Sequence, residues 1–181
     1  MNYEKDLPVS DKKQIVIKDA CILFDLVDLN LLKDFFQLEV VALTTPQVIG
    51  EITNEDQWKE VSKFIEGGQL QIDSDGEFGA IQELYDEFSG LSLPDCSVLE
   101  LAIRKDAIVY SSDGSLRKIS IKRNLIVRGV LWIVEEVYTK GLITKEIAFE
   151  TLLKYQSINQ RAPLKEIEKL MAKLNENQLL F

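Results

Sequence analysis

Short β-rich runs alternating with helical patterns predict an α/β fold built around a central, largely parallel sheet of four or five strands. Two observations carry this. The β-branched runs are three to five residues long, the length of buried strands. The stretches between them repeat apolar residues at intervals of three and four, which is helical spacing.

The elements follow in order. Residues 1–13 are polar and read as an N-terminal arm. Ile15-Val16-Ile17 forms the first strand and ends at Asp19. Ile22, Leu23, Leu26, Leu29 and Leu32 then mark a helix, on which Asp25 and Asp28 read as surface. Val40-Val41-Ala42-Leu43-Thr44 is the second strand. Thr45-Pro46 after it pairs an N-cap with a first-turn proline, opening a helix that runs through Glu51. Trp58, Val61, Phe64 and Ile65 give the next apolar face, and Gly67-Gly68 stops it. Leu70-Gln71-Ile72 is a third strand. Ile81, Leu84, Tyr85 and Phe88 mark another helix, with Trp58, Tyr85 and Phe88 expected in the core. Ser92-Leu93-Pro94-Asp95 opens the helix that carries Val98, Leu99 and Ala102.

Ala107-Ile108-Val109-Tyr110 is a strand, Asp113-Gly114 a turn, and residues 116–123 a short helix. Leu125-Ile126-Val127 is the last strand, and Val130, Ile133, Val134 and Val137 define the helix behind it. Beyond Gly141 two amphipathic patterns remain. The expected organisation is therefore an α/β domain over 14–140 and a helical extension over 141–181 packed on that same domain.

Composition narrows the chemistry. The chain has no histidine, which removes Ser-His-Asp and Cys-His catalysis and histidine-based zinc sites. Its two cysteines, Cys21 and Cys96, form no metal-ligand pair and read as small core residues. Any metal must then be held by oxygen, which favours Mg²⁺ or Mn²⁺. No apolar run approaches membrane-spanning length and no secretory signal opens the chain, so a cytoplasmic location is expected. The net charge of -9 argues against a protein that merely coats nucleic acid. Residues 114–134 nevertheless contain no acid, while Arg117, Lys118, Lys122, Arg123 and Arg128 fall there.

Four acids stand at corresponding places: Asp19 and Asp113 after strands, Glu51 on the helix after the second strand, and Asp95 at a helix start. In a parallel sheet the carboxyl ends of the strands share one edge, where ligands bind. Carboxylates that converge there must protonate or hold a cation. Each acid also has a purely structural use. Asp113 and Asp19 suit N-caps, Ser92-x-x-Asp95 suits a capping box, and Glu51 suits solvent.

The same stretches resemble the PIN-domain ribonuclease family. Ile17-Lys18-Asp19-Ala20-Cys21 is similar to its opening strand-aspartate motif, and Thr45-Pro46-Gln47-Val48-Ile49-Gly50-Glu51-Ile52 to its second motif. Leu93-Pro94-Asp95-Cys96-Ser97-Val98-Leu99-Glu100-Leu101-Ala102 resembles the third. Val109-Tyr110-Ser111-Ser112-Asp113-Gly114-Ser115-Leu116-Arg117 resembles the fourth. The likeness covers residues 14–140 and implies a three-layer α/β/α fold.

It also implies an endoribonuclease that hydrolyses RNA through metal-activated water, with Asp19, Glu51, Asp95 and Asp113 as catalytic ligands of Mg²⁺ or Mn²⁺. Ser111 would support them, and Arg117 and Lys118 would meet RNA phosphates. Many relatives are toxins of toxin–antitoxin pairs, so an antitoxin is an expected partner, and the tail also suits a homodimer. Ser115 stands where many members carry a further acid, which favours one metal ion over two. The alternative is a PIN-fold RNA- or protein-binding module with weakened catalysis. A small-molecule phosphohydrolase is disfavoured, because Ala20-Cys21 follows Asp19 where a second aspartate would be needed.

Overall fold

The computed structural model describes residues 14–18, 20–38, 40–159 and 162–176. Asp19 and Arg161 lie outside the described residues, as does the expected polar arm.

Among the described residues the sheet has five strands: β1 (Gln14–Lys18), β2 (Val40–Thr44), β3 (Leu70–Ile72), β4 (Ile108–Tyr110) and β5 (Val127–Arg128). All pairings are parallel and the order is β3-β2-β1-β4-β5. The α/β class and the five expected strand positions agree with this sheet. The last strand begins two residues later than its apolar run, because Leu125 N–H turns back to the Ser120 carbonyl.

The order has one physical consequence. From β1 the chain winds outward through β2 and β3, then returns to place β4 and β5 on the other side. The reversal falls between β1 and β4, where Lys18 pairs with Tyr110. Loops leaving two neighbouring strands in opposite directions open a crevice at their carboxyl ends. Residues 111–113 leave β4 at that point.

The connections are helical. Between β1 and β2 lie α1 (Ala20–Asp28) and the four-residue α2 (Leu32–Phe35). The single helix expected through Leu32 is thus two. Asn30, at φ 57°, breaks it, while Leu29, Leu31, Leu32 and Phe35 remain buried on either side. After β2 come α3 (Pro46–Gly50) and α4 (Glu55–Glu66), and after β3 come α5 (Phe78–Glu87) and α6 (Leu93–Lys105). Then α7 (Gly114–Lys122) links β4 to β5, and α8 (Val130–Thr139), α9 (Lys145–Ile158) and α10 (Leu164–Glu176) complete the chain.

Local chemistry starts these helices. The side chains of Thr45, Asn54, Ser92, Asp113 and Thr144 each accept a backbone N–H of the first turn. Gly68, at φ 71°, takes the left-handed turn after α4, which costs glycine nothing.

The core joins the sheet to its helices through Leu99, Leu101, Val109, Tyr110, Ile133 and Val134, all fully buried. Ala148, Leu152, Ile167 and Leu174 of the last two helices belong to the same cluster. Cys96 is buried, as expected, while the side chain of Cys21 is not described. Trp58 and Tyr85 correct the expected core, being 44% and 46% exposed, whereas Phe88 is buried. On α5 the buried face is Ile81 and Leu84 with Phe88 after it, and Tyr85 is turned off that line. Trp58 stands in the first turns of α4, before its buried Val61. No helix of the described residues is long and apolar enough to cross a membrane.

Candidate functional site

Glu51 and Asp95 come from different crossovers, and each stands at a helix end. At the end of β2, Thr45 starts α3 by accepting Val48 N–H on its hydroxyl at 3.3 Å. The helix lasts only five residues, so Glu51 is its C-cap (φ -79°, ψ -14°) and not a residue within the helix as expected. Asp95 is held by a capping box. Its Oδ2 accepts from Ser92 N–H at 2.9 Å and from Ser92 Oγ at 2.7 Å, while its own N–H donates to Ser92 Oγ at 3.2 Å.

One buried contact fixes the two helices together. Ser97 Oγ gives its proton to the Pro94 carbonyl at 2.7 Å. Its oxygen also lies 2.7 Å from Thr45 Oγ1, so Thr45 is the donor across that gap. A second brace holds the far end of α6. Arg104 Nη2 donates to Asp73 Oδ1 just after β3, and Arg104 Nε donates to Glu100 Oε1, both at 2.7 Å.

The electrostatics report the proximity. Partial desolvation, and then the charge of Asp95, push the Glu51 carboxyl above its ordinary range. Burial and the same charge push the Cys96 thiol up to about 11, so it carries no thiolate near neutral pH.

Asp113 sits at the other side of the sheet reversal. It is the N-cap of α7, and its Oδ1 accepts Leu116 N–H at 2.8 Å. Its N–H donates at 3.0 Å to the hydroxyl of Ser111, which is fully buried. Ser111 therefore shapes the turn that delivers Asp113. Among the described residues no three His, Cys, Asp or Glu groups are placed to hold a metal ion together. Of the expected quartet, Glu51 and Asp95 are near enough for one charge to act on the other, Asp113 is engaged as a cap, and Asp19 lies outside the described residues. The donors that are described are carboxylate oxygens, which fit a hard divalent cation in kind.

Arg117 has a structural duty that its sequence position did not reveal. Its Nη1 donates to the carbonyls of Ser111 at 2.9 Å and Arg128 at 3.0 Å, tying the ends of β4 and β5. Lys118 is exposed.

Beside Asp113 opens a cleft of about 820 Å³, walled by α1, the loop after β4 and α9. Asp25 lines it, which corrects its assignment to the surface; Asp28 is exposed as expected. Ser112 Oγ donates to Asp25 Oδ2 at 2.7 Å. Burial, opposed by that hydrogen bond and aided by the charge of Asp28, raises the Asp25 carboxyl. The Tyr155 hydroxyl accepts from Asn159 Nδ2 at 3.2 Å. A polar row, made of the pairs Asn159–Tyr155 and Ser112–Asp25, thus lines the cleft. A signal for Asp25 was present in the sequence. It stands three residues after Ile22 and four before Leu29, at the margin of the buried face of α1.

A family model described as a PIN domain matches residues 15–176. The crystal structure of PAE2754 from Pyrobaculum aerophilum is similar at 16% identity and a TM-score of 0.44, covering 59% of this chain and 86% of that one. No curated protein matches the chain.

Proposed function

This chain belongs to the PIN-domain family, a nuclease fold, and we propose that it is a divalent-metal-dependent endoribonuclease acting on RNA phosphodiesters. The observation that supports this best is the family match over residues 15–176, beside which Glu51 and Asp95 lie near enough for one charge to act on the other. Carboxylates whose charges repel cost stability, and a bound cation offsets that cost.

Glu51 and Asp95, with Asp113 and Asp19, are the residues proposed to hold Mg²⁺ or Mn²⁺. When bound, such an ion supplies an acidified water and offsets charge on the phosphate. The chain's own part is to keep the carboxylates in place. The capping box orients Asp95, the Thr45–Ser97 contact sets α3 against α6, and Ser111 forms the turn before Asp113. Lys118, exposed beyond Asp113, is the cation proposed to meet RNA phosphates. An antitoxin-like protein covering this edge is the proposed partner.

Incubation of the purified protein with a long single-stranded RNA tests the reading. Internal cleavage is expected with Mg²⁺ or Mn²⁺, and its loss in EDTA and in Asp95→Asn. Cleavage that survives both would overturn it. One observation favours a second reading, a binding module of the same fold: Asp113 spends an oxygen on capping α7, and Ser115 stands where a further acid would be. RNA binding with no heat on Mn²⁺ titration would favour that module.

A further inference from the structure

The cleft beside Asp113 is not accounted for by the acidic edge. Its wall includes Ser112 and Asp113, so an occupant is continuous with whatever lies at that edge. Its volume, about 820 Å³, is in the range of small-molecule sites and ample for a nucleotide. Phe24, Val130 and Leu131 provide apolar wall, and the row from Asn159 to Asp25 provides hydrogen-bonding groups.

The lining charges select among occupants. Among the described residues, Asp25, Asp113 and Glu166 line the cleft, against Arg117, whose Nη1 is spent on two carbonyls. That balance disfavours a phosphate. An apolar peptide side chain would take the Asp25 carboxylate further out of water and add no donor to the one it has from Ser112, which is costly. A nucleobase answers both demands: a flat apolar face, and an edge carrying N–H donors and acceptors.

We propose that this cleft seats the base of the RNA nucleotide next to the cleaved bond, and that Asp25 selects a base with an exocyclic amino group. A carboxylate only accepts hydrogen bonds, so it pairs with the amino groups of adenine, cytosine and guanine. Uracil has no amino group: its single edge donor, N3–H, lies between two carbonyl oxygens that a carboxylate repels. Ser112 Oγ holds Asp25 Oδ2, so the carboxylate is aimed before a base arrives. The choice of RNA as the source of the base rests on the ribonuclease reading; the cleft's affinity for a base does not.

The experiment is calorimetric titration of the full chain with adenosine, cytidine, guanosine and uridine in EDTA, which keeps both the acidic edge and a phosphate charge out of the measurement. The three amino-bearing nucleosides are expected to bind about tenfold more tightly than uridine. In Asp25→Asn, whose amide both donates and accepts, that gap should close, with uridine gaining. Equal binding of all four by the wild type, or no binding, would overturn the proposal, and that result needs no variant. An unchanged ranking in folded Asp25→Asn, checked by circular dichroism, would also overturn it. Base selection without Mn²⁺-dependent cleavage would sustain the cleft and sink the nuclease reading. Cleavage without base selection would do the reverse.

Discussion

Thr45 Oγ1 lies 2.7 Å from Ser97 Oγ, and this contact between residues 52 positions apart sets the start of α3 against α6. Because Ser97 has given its proton to Pro94, Thr45 depends on it as an acceptor. In Ser97→Ala the buried Thr45 hydroxyl loses that partner, and stability should fall by roughly 1–3 kcal/mol. Urea unfolding measures this as a lower midpoint with an unchanged slope. Nuclease activity should fall further than stability alone requires, since Glu51 follows α3 and Asp95 opens α6.

Glu51 makes the metal-free protein sensitive to pH in an unusual direction. Its folded carboxyl titrates above the ordinary 4.5, so the native state holds the proton more tightly than the unfolded chain. Its contribution is complete below that ordinary value and is lost as pH rises through the folded one. In EDTA, Glu51→Gln and the wild type should therefore converge in stability near pH 4, and the glutamine variant should be the more stable at pH 7. Equal midpoints at pH 7 would show that Asp95 does not burden Glu51.

Metal should reverse that ranking. At Mn²⁺ a hundredfold above its dissociation constant, binding adds about 2.7 kcal/mol, or about 5–10 °C in melting temperature for a chain of this size. Glu51→Gln and Asp95→Asn should lose most of the rise. A full rise in either variant would place the ion elsewhere.

Arg104 should matter at the opposite pH extreme. Burial raises the Asp73 carboxyl, but the Arg104 hydrogen bond, the Asp75 amide and the charges of Arg104 and Lys105 together bring it below the ordinary 3.8. The stability it supplies is present above that value and is lost as pH falls through the depressed one. Arg104→Ala leaves Glu100 buried and Asp73 unbraced, at a cost of roughly 2–4 kcal/mol, held down by the partial exposure of Arg104. The loss should shrink toward pH 3, as followed by thermal melting across pH 3–7.

Arg117 and Lys118 separate architecture from substrate contact. Arg117→Ala should destabilise by about 1–3 kcal/mol, because two carbonyls at the ends of β4 and β5 lose a charged donor. Lys118→Ala should leave the melt unchanged, weaken RNA binding and reduce the salt slope by about 0.7 for the phosphate contact removed. Melting curves and filter binding at several salt concentrations distinguish them.

Residue periodicity carries the fold well and the site unevenly, for physical reasons. Val40-Val41-Ala42-Leu43-Thr44 announces β2 because a strand buried between neighbours needs little but β-branched and apolar side chains. Thr45-Pro46 and Ser92-x-x-Asp95 are legible because caps are satisfied within four residues. Tyr85 was misplaced because helical spacing gives the direction of a buried face but not its width. Asp25 was misjudged because its partner Ser112 is 87 residues away, and no local pattern records such a pairing. The sequence puts Glu51 on the helix after β2, but it stands past the end of α3, because that helix stops at Gly50.

The two outer strands, β3 and β5, have three and two residues. A visiting strand laid along either would find one or two backbone hydrogen bonds, too little to hold it. Sheet extension, by which exposed edges recruit a second copy, is thereby discouraged at both margins.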